Sequence, residues 1–296
     1  MKISKKFSLG VPSESLDFLD VELDKDNYHF INSFHIANSD DKFCVYCNLF
    51  MKSFFGDFLV QLGNDNEEGA YKLFSHLKEI NNIRLGMSQN EPQGRGIGKL
   101  NAEEIFNGIK DSELFKEGVV DDVSDMMIFV KNLDKDKMSD MVANIIKLPL
   151  IEYTMEQCAS LKIKCVDRDV EYWNKDSCVW ETKTFALPVD DAGKFILFVP
   201  KSILIERNRY TFGDFLWKYV ITYYQEIYLK EDRSIVKHTT LKSGEDKATV
   251  NKKAVYDDMK QTILLDKDFA AKFAIEHPDK FQEFKEYCSN KIKNKQ

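Results

Sequence analysis

A block of strand-like sequence, with helical spacing on both sides of it, limits this chain more than any other feature. KIKCVDRDVEYW, SCVWETKTFALPV and KFILFVPKSIL are rich in β-branched and aromatic residues, and the turn-like NKD and DDAG separate them. Such runs joined by short polar turns predict an antiparallel meander. Ahead of the block, the apolar density from Lys42 to Leu62 suits a buried helix. Ala70, Leu73, Phe74, Leu77 and Ile80 then repeat at helical spacing. Asn101, with Glu104 three residues on, is placed to cap a helix over NAEEIFNGIKDSELF. Beyond the block come the aromatic helix FGDFLWKYVITYYQEIYLK, a polar stretch KHTTLKSGEDKATVNKK read as a mobile loop, and two short amphipathic helices. Helices grouped before and after a sheet predict an α+β fold, with N-terminal and C-terminal helical parts packed on a mainly antiparallel sheet. The alternation in DFLDVELDKDNYHFINSFHIA adds a strand or two at the sheet edge. No Pro- or Ser-rich joint interrupts the sequence, so residues 1–296 are expected to form a single compact domain, with a subdivision into 1–160 and 161–296.

A 43% hydrophobic composition over 296 residues is ample for a core, which excludes global disorder. The net charge of −7 argues against coating nucleic acid or anionic lipid by bulk attraction and leaves a focused basic site for any such contact. No secretory pattern opens the chain and no apolar run approaches the roughly 20 residues of a membrane span, so a cytoplasmic protein without membrane contact is expected. Cys44 and Cys47 form a CxxC that could be a redox pair or half a zinc site, but its surroundings are apolar throughout and favour core packing.

Three stretches could carry chemistry. In VVDDVSDMMIFVKNLDKDKMSDMVANIIK, six aspartates flank an apolar run. With SDMMIFVKN as a strand, Asp125 stands at its start, Asp134 and Asp136 lie in the following turn, and Asp140 opens a helix capped by Ser139. Strand end and helix start would then bring carboxylates together around Mg²⁺ or Mn²⁺, which need only one or two of them besides water and phosphate. The plainer alternative is a solvated corner with Asp140 favouring the positive end of a helix dipole. A calcium loop is rejected, because the turn glycine and terminal glutamate are missing. In the second stretch, RLGMSQNEPQGRGIGKLNAEE, glycines with Arg84, Arg95 and Lys99 could receive a phosphate or clamp nucleic acid, though G-K-[ST] is absent. An interdomain or dimer loop is the alternative there, with a protein partner or homo-oligomer.

The third stretch is Asp169 followed by Glu181-Thr182-Lys183. In a strand, Glu181 and Lys183 share a face. These residues resemble the D…ExK core of restriction-endonuclease-like nucleases, with Glu79 as an upstream helical acid; a cross-strand ion pair is the alternative. The succession EINNIRLGMS, GRGIG, VVDDVSDMMIFV, DKMSDMVANIIK, LIEYTMEQC and ILFVPKSIL is similar to an uncharacterised bacterial family associated with mobile or phage-defence loci. That resemblance spans Glu79 to Leu204 and implies no established reaction. Its polar positions are Glu79, Arg84, Asp125, Asp136, Asp140, Asn144 and Lys201, with the E-x-K outside them.

Two expectations follow. One is a metal-dependent nuclease or phosphodiesterase of the bacterial defence type. Its cation would be held by Asp125, Asp136 and Asp140, with Glu79 and Asp140 catalytic and Lys201 and Arg84 neutralising phosphate. Asp169, Glu181 and Lys183 form the alternative catalytic set. The other expectation is a non-catalytic partner subunit in a phage-defence or anti-defence assembly.

Overall fold

The computed structural model describes residues 1–78, 80–86, 99–110, 112–120, 122–204 and 209–293. The fold is α+β: helices at both ends flank the strand region, and the strands pair as two antiparallel hairpins. The chain divides into two compact units, one of residues 1–111, 122–124 and 132–208, the other of 112–121, 125–131 and 209–296. The units interleave in sequence and the last crossing lies at 208/209, while the composition change at 160/161 falls inside the first unit.

The first unit is built on the helix Lys42–Gly63, started by the Asp41 side chain, which accepts from the Cys44 amide. By length and composition this helix could cross a membrane, a test that core helices also pass, and Cys44, Cys47, Phe50, Met51, Phe54, Phe55 and Phe58 are buried in the protein. Phe54 meets Trp173 edge-on with ring centroids 5.3 Å apart, and Phe58 meets Phe74 at 4.8 Å. The CxxC is therefore core. Burial pushes the Cys44 thiol up to about 12 and raises Cys47 as well, so both stay protonated at neutral pH.

Strands β1 (Val166–Asn174) and β2 (Val179–Leu187) form the hairpin that the alternation predicts. KFILFVPKSIL makes no third strand. Ile196, Leu197, Phe198 and Val199 are buried, but their backbone groups go to different partners: Ile196 N–H to Pro188, Leu197 N–H to Asn82, Phe198 N–H to the Thr154 hydroxyl, and the Val199 carbonyl to Leu19. The ladder is unnecessary once those groups are satisfied singly. The N-terminal alternation likewise yields isolated bridges, Phe18 with Pro200 and Ile31 with Leu204, rather than strands.

The aspartate-flanked run also departs from expectation. Val123–Asp125 is a 3₁₀ turn and Met126–Phe129 a short helix, not a strand. Apolar runs this short do not reveal their period. The next helix runs from Lys135 to Ile145, and its cap is Asp134, whose side chain accepts from the amides of Asp136 and Lys137. Ser139 lies inside that helix, where its hydroxyl accepts from Ile31 N–H. Pro149 sits in the first turn of the helix Lys147–Ser160, where its missing N–H costs nothing. Residues Lys99–Lys110 are helical, so Asn101 is within the helix rather than at its cap.

In the second unit, the helix Ile221–Lys230 is preceded by the π-helical turn Leu216–Val220 and joined by the helices Lys252–Met259, Lys267–Glu276 and Pro278–Lys293. Phe215 meets Phe281 at 5.4 Å and Phe284 at 5.2 Å in its core. The stretch read as a mobile loop is in fact a hairpin, Lys237–Thr240 with Asp246–Thr249, whose turn closes on Gly244 at φ 83°.

Candidate functional site

Arg84 follows the 3₁₀ turn Asn81–Ile83 and takes left-handed backbone angles, φ 56° and ψ 33°. A non-glycine residue holds that conformation only when its surroundings fix it. Here the amide and the side-chain Nδ2 of Asn27 both donate to the Arg84 carbonyl at 2.9 Å, and Gly86 N–H returns to the Asn27 carbonyl at 3.1 Å. The side chain is directed inward, and the residue is only 5% exposed. Its Nη2 donates to Asp190 Oδ2 at 2.6 Å, while the other oxygen of Asp190 accepts from the amides of Ala192 and Lys194. Nε is buried with no acceptor among the described residues. An unpaired buried donor costs roughly 1–3 kcal/mol, so its retention calls for a reason.

Arg84 opens on a cavity of about 400 Å³ whose wall also includes Leu23, Asp24, Asp190, Asp191 and Lys194. The three carboxylates are each matched: Asp190 by Arg84, Asp24 by the Met1 amino group at 2.7 Å, and Asp191 by Lys6. Lys194 is exposed and has no acidic partner among the described residues. The wall therefore carries three carboxylates beside Arg84 and Lys194, and the buried Nε of Arg84 does not reach it.

Of the three residues expected to bind phosphate, only Arg84 is placed with its side chain. Arg95 and Glu79 lie outside the described residues, and Lys99 is described only as the first residue of its helix. Lys201 donates to the carbonyls of Ser13 (3.1 Å), Glu14 (3.2 Å) and Leu16, so its ammonium ties down the N-terminal turn instead of facing a phosphate.

The aspartates separate into two environments. Asp125 belongs to the second unit and is fully buried, accepting from the Tyr210 hydroxyl and from Lys285 Nζ at 3.0 Å. Asp136 and Asp140 belong to the first unit, one helical turn apart on the helix Lys135–Ile145. Burial raises the Asp136 carboxyl, and the charge of Asp134 adds to the effect. A Cβ placed on Gly86, at φ 146°, would come within 3.3 Å of Asp26 Oδ2 and 3.6 Å of Asp136 Oδ1, so a glycine lets two carboxylates converge there. Asn144 donates to the carbonyls of Asp140 and Lys78. Among the described residues, no three His, Cys, Asp or Glu side chains gather as a metal site.

The E-x-K is on β2 as expected, but the register divides it from its partner acid. Glu181 faces Tyr172 and Lys183 faces Val170, whereas Asp169 faces Thr184. Cross-strand partners share a face and neighbours alternate, so Asp169 stands on the opposite side of the hairpin from Glu181 and Lys183. Its Oδ1 accepts from the Thr184 hydroxyl. Glu181 accepts from Asn174 (2.9 Å), Ser177 (2.9 Å) and Tyr172 (3.0 Å), and these bonds hold its carboxyl below the usual range. Lys183 lies over the Phe185 ring at 5.8 Å. The three residues do not form the D…ExK constellation, because period-two alternation points the first of them the other way.

Sequence reasoning nominated Arg84 for its charge beside glycines, but it missed Asp190 and Lys194. The only signal for them was the turn DDAG, read as a connection alone. A family model described as a domain of unknown function, DUF8370, matches residues 9–211, ending close to the boundary at 208/209. No curated protein and no solved structure matches the chain.

Proposed function

The chain belongs to the DUF8370 family, and we propose, from how its charged side chains are used, that it is a non-catalytic interaction protein acting as a partner subunit. The observation that carries this reading is the engagement of three of the polar groups nominated for chemistry. Lys201 spends its ammonium on three carbonyls, Glu181 takes three donors, and Asp125 is enclosed with Lys285 and Tyr210. Side chains already saturated by the fold have little left for a substrate. A surface for a partner is offered by the helix Lys42–Gly63, on which Lys42, Val45, Leu49, Lys52, Gly56 and Val60 are all exposed at spacings of three and four. Val45, Leu49 and Val60 are 50%, 51% and 58% exposed on a face that Lys42 and Lys52 share, a mixed apolar and basic stripe. The resemblance over Glu79 to Leu204 supports a phage-defence or anti-defence assembly as the setting of that partner.

A second reading, a Mg²⁺- or Mn²⁺-dependent nuclease or phosphodiesterase, has one observation in its favour. Asp26 and Asp136 converge over Gly86, and burial leaves the Asp136 carboxyl raised, as a site needing a counter-charge would. In that reading Asp136 and Asp26 would hold the ion, which would activate water for attack on a phosphodiester.

One assay separates the two. The purified chain is incubated with plasmid, single-stranded DNA and RNA, with and without Mg²⁺ or Mn²⁺. The interaction reading expects intact substrates throughout, together with a stoichiometric partner or second copy that is lost from the Leu49→Asp/Val60→Asp double variant. Metal-dependent cleavage that disappears in Asp136→Asn would overturn it in favour of the nuclease.

A further inference from the structure

We propose that Cys158 and Cys165 are a peroxide-responsive thiol pair that closes to a reversible disulfide, tying the end of the helix Lys147–Ser160 to the start of β1. The site uses none of the groups assigned above to a partner or a metal ion.

Both thiols are free and lie where the chain reverses. Cys158 is in the last turn of its helix, its carbonyl accepts from Ile163 N–H at 2.8 Å, and Lys162 takes a left-handed φ of 55°. That is a Schellman closure, which folds the outgoing chain back over the end of the helix. Cys165 comes two residues later and directly precedes β1, whose first residue, Val166, is held opposite Leu187. Helix end and strand start thus fix the two cysteines from either side. The Cys158 thiol is hydrogen-bonded to that of Cys165, and Cys165 Sγ also donates to the Ile163 carbonyl at 3.6 Å. Sulfurs in hydrogen-bond contact have only a short way to close to a disulfide bond of about 2.05 Å.

The two thiols differ in access, and access sets their order of reaction. Cys158 is 3% exposed, whereas Cys165 is half-buried. Burial raises the Cys158 thiol, so it stays protonated and is not the first to meet an oxidant. Hydrogen peroxide therefore reacts at Cys165. Its sulfur attacks one peroxide oxygen, the O–O bond breaks and hydroxide leaves, so that Cys165 becomes a sulfenic acid. The Cys158 sulfur then attacks the Cys165 sulfur, the S–O bond breaks, and the departing hydroxide takes the Cys158 proton as water. Two thiols and one peroxide give one disulfide and two waters, with two electrons passing from sulfur to the peroxide oxygens. A resolving thiol in contact keeps such a site reversible, because it consumes the sulfenic acid before a second peroxide can oxidise it further.

The test is a hydrogen peroxide titration of the reduced, folded full chain, followed by unfolding in N-ethylmaleimide and tryptic mapping, since Lys162 and Lys164 lie between the two cysteines. The expected result is a peptide pair joined through Cys158 and Cys165, with alkylation lost at those two positions and regained after dithiothreitol. Cys158→Ser should form no link and leave at Cys165 a sulfenic acid that dimedone traps. Cys165→Ser should form no link and gain no dimedone adduct on Cys158. Serine is close to cysteine in size, so both variants should melt like the reduced wild type; if Cys158→Ser does not fold, Cys165→Ser and the wild-type map decide. Full alkylation of both cysteines after peroxide, a link from either to another cysteine, a sulfenic acid that persists at Cys165 in the wild type, or a Cys165→Ser chain that still loses its Cys158 thiol would each overturn the proposal.

Discussion

Arg84 and Asp190, 106 residues apart in sequence, form a buried ion pair with Nη2 and Oδ2 at 2.6 Å and side chains 7% and 11% exposed. The pair joins the left-handed turn at Arg84 to the turn that follows β2, because the second oxygen of Asp190 holds the amides of Ala192 and Lys194. Asp190→Ala removes the acceptor for both and leaves a guanidinium buried without a counter-charge. Breaking a buried pair in this way costs about 3–5 kcal/mol. Asp190→Asn keeps a neutral acceptor for the turn amides and should cost less. Urea unfolding of the two variants beside the wild type measures the difference, and equal losses would mean that the ion pair alone, and not the turn amides, is what Asp190 supports.

Asp125 separates a structural from a metal-binding role for the aspartate-flanked run. Its carboxylate is wholly buried and faces Lys285 and the Tyr210 hydroxyl, and the Tyr210 ring stacks on Phe284 at 5.2 Å. Asp125→Ala is therefore expected to destabilise the protein by about 3–5 kcal/mol through the stranded Lys285 ammonium. Asp136→Ala, on a half-buried carboxylate raised by desolvation, should be neutral or stabilising at neutral pH. Chemical denaturation at pH 7 gives both numbers. A tolerated Asp125→Ala would contradict the structural assignment.

The hairpin β1–β2 was legible because its alternation and polar turn agree, and the same period placed Glu181 and Lys183 on one face. What the sequence could not give was the register, and the register decides that Asp169 faces the other way. Met126–Phe129 was misread because four apolar residues carry no period, and helix and strand fit them equally. The hairpin around Gly244 did have a signal, the Ser-Gly pair between two Thr-containing runs, which the polarity of the stretch outweighed. The Arg84 cavity lay beyond local reading altogether. Nothing near Arg84 announces that a turn 106 residues later will bury its guanidinium, and nothing near Lys194 announces an unpaired charge.

Lys147 offers a pH test of the first unit. It opens the helix Lys147–Ser160, directly after the helix Lys135–Ile145 ends. Burial pushes its ammonium down to about 8, with the Glu171 carboxylate opposing and the Lys78 ammonium adding to the shift. The folded state thus releases this proton at a lower pH than the unfolded chain does. Between about pH 8 and the ordinary lysine range the unfolded state binds more protons, so stability rises with pH across that window from this group. Below about pH 8 the group is charged in both states and its burial cost is fully present; above the ordinary lysine range it is neutral in both and the cost is gone. Lys147→Met, which keeps the aliphatic stem and loses the charge, should be more stable than wild type at pH 7, with the advantage fading as pH rises through the window. Melting both proteins from pH 6 to pH 10 checks it. Parallel curves, with a constant offset at every pH, would show that the ammonium is solvated in the folded state and that the gain comes from packing alone.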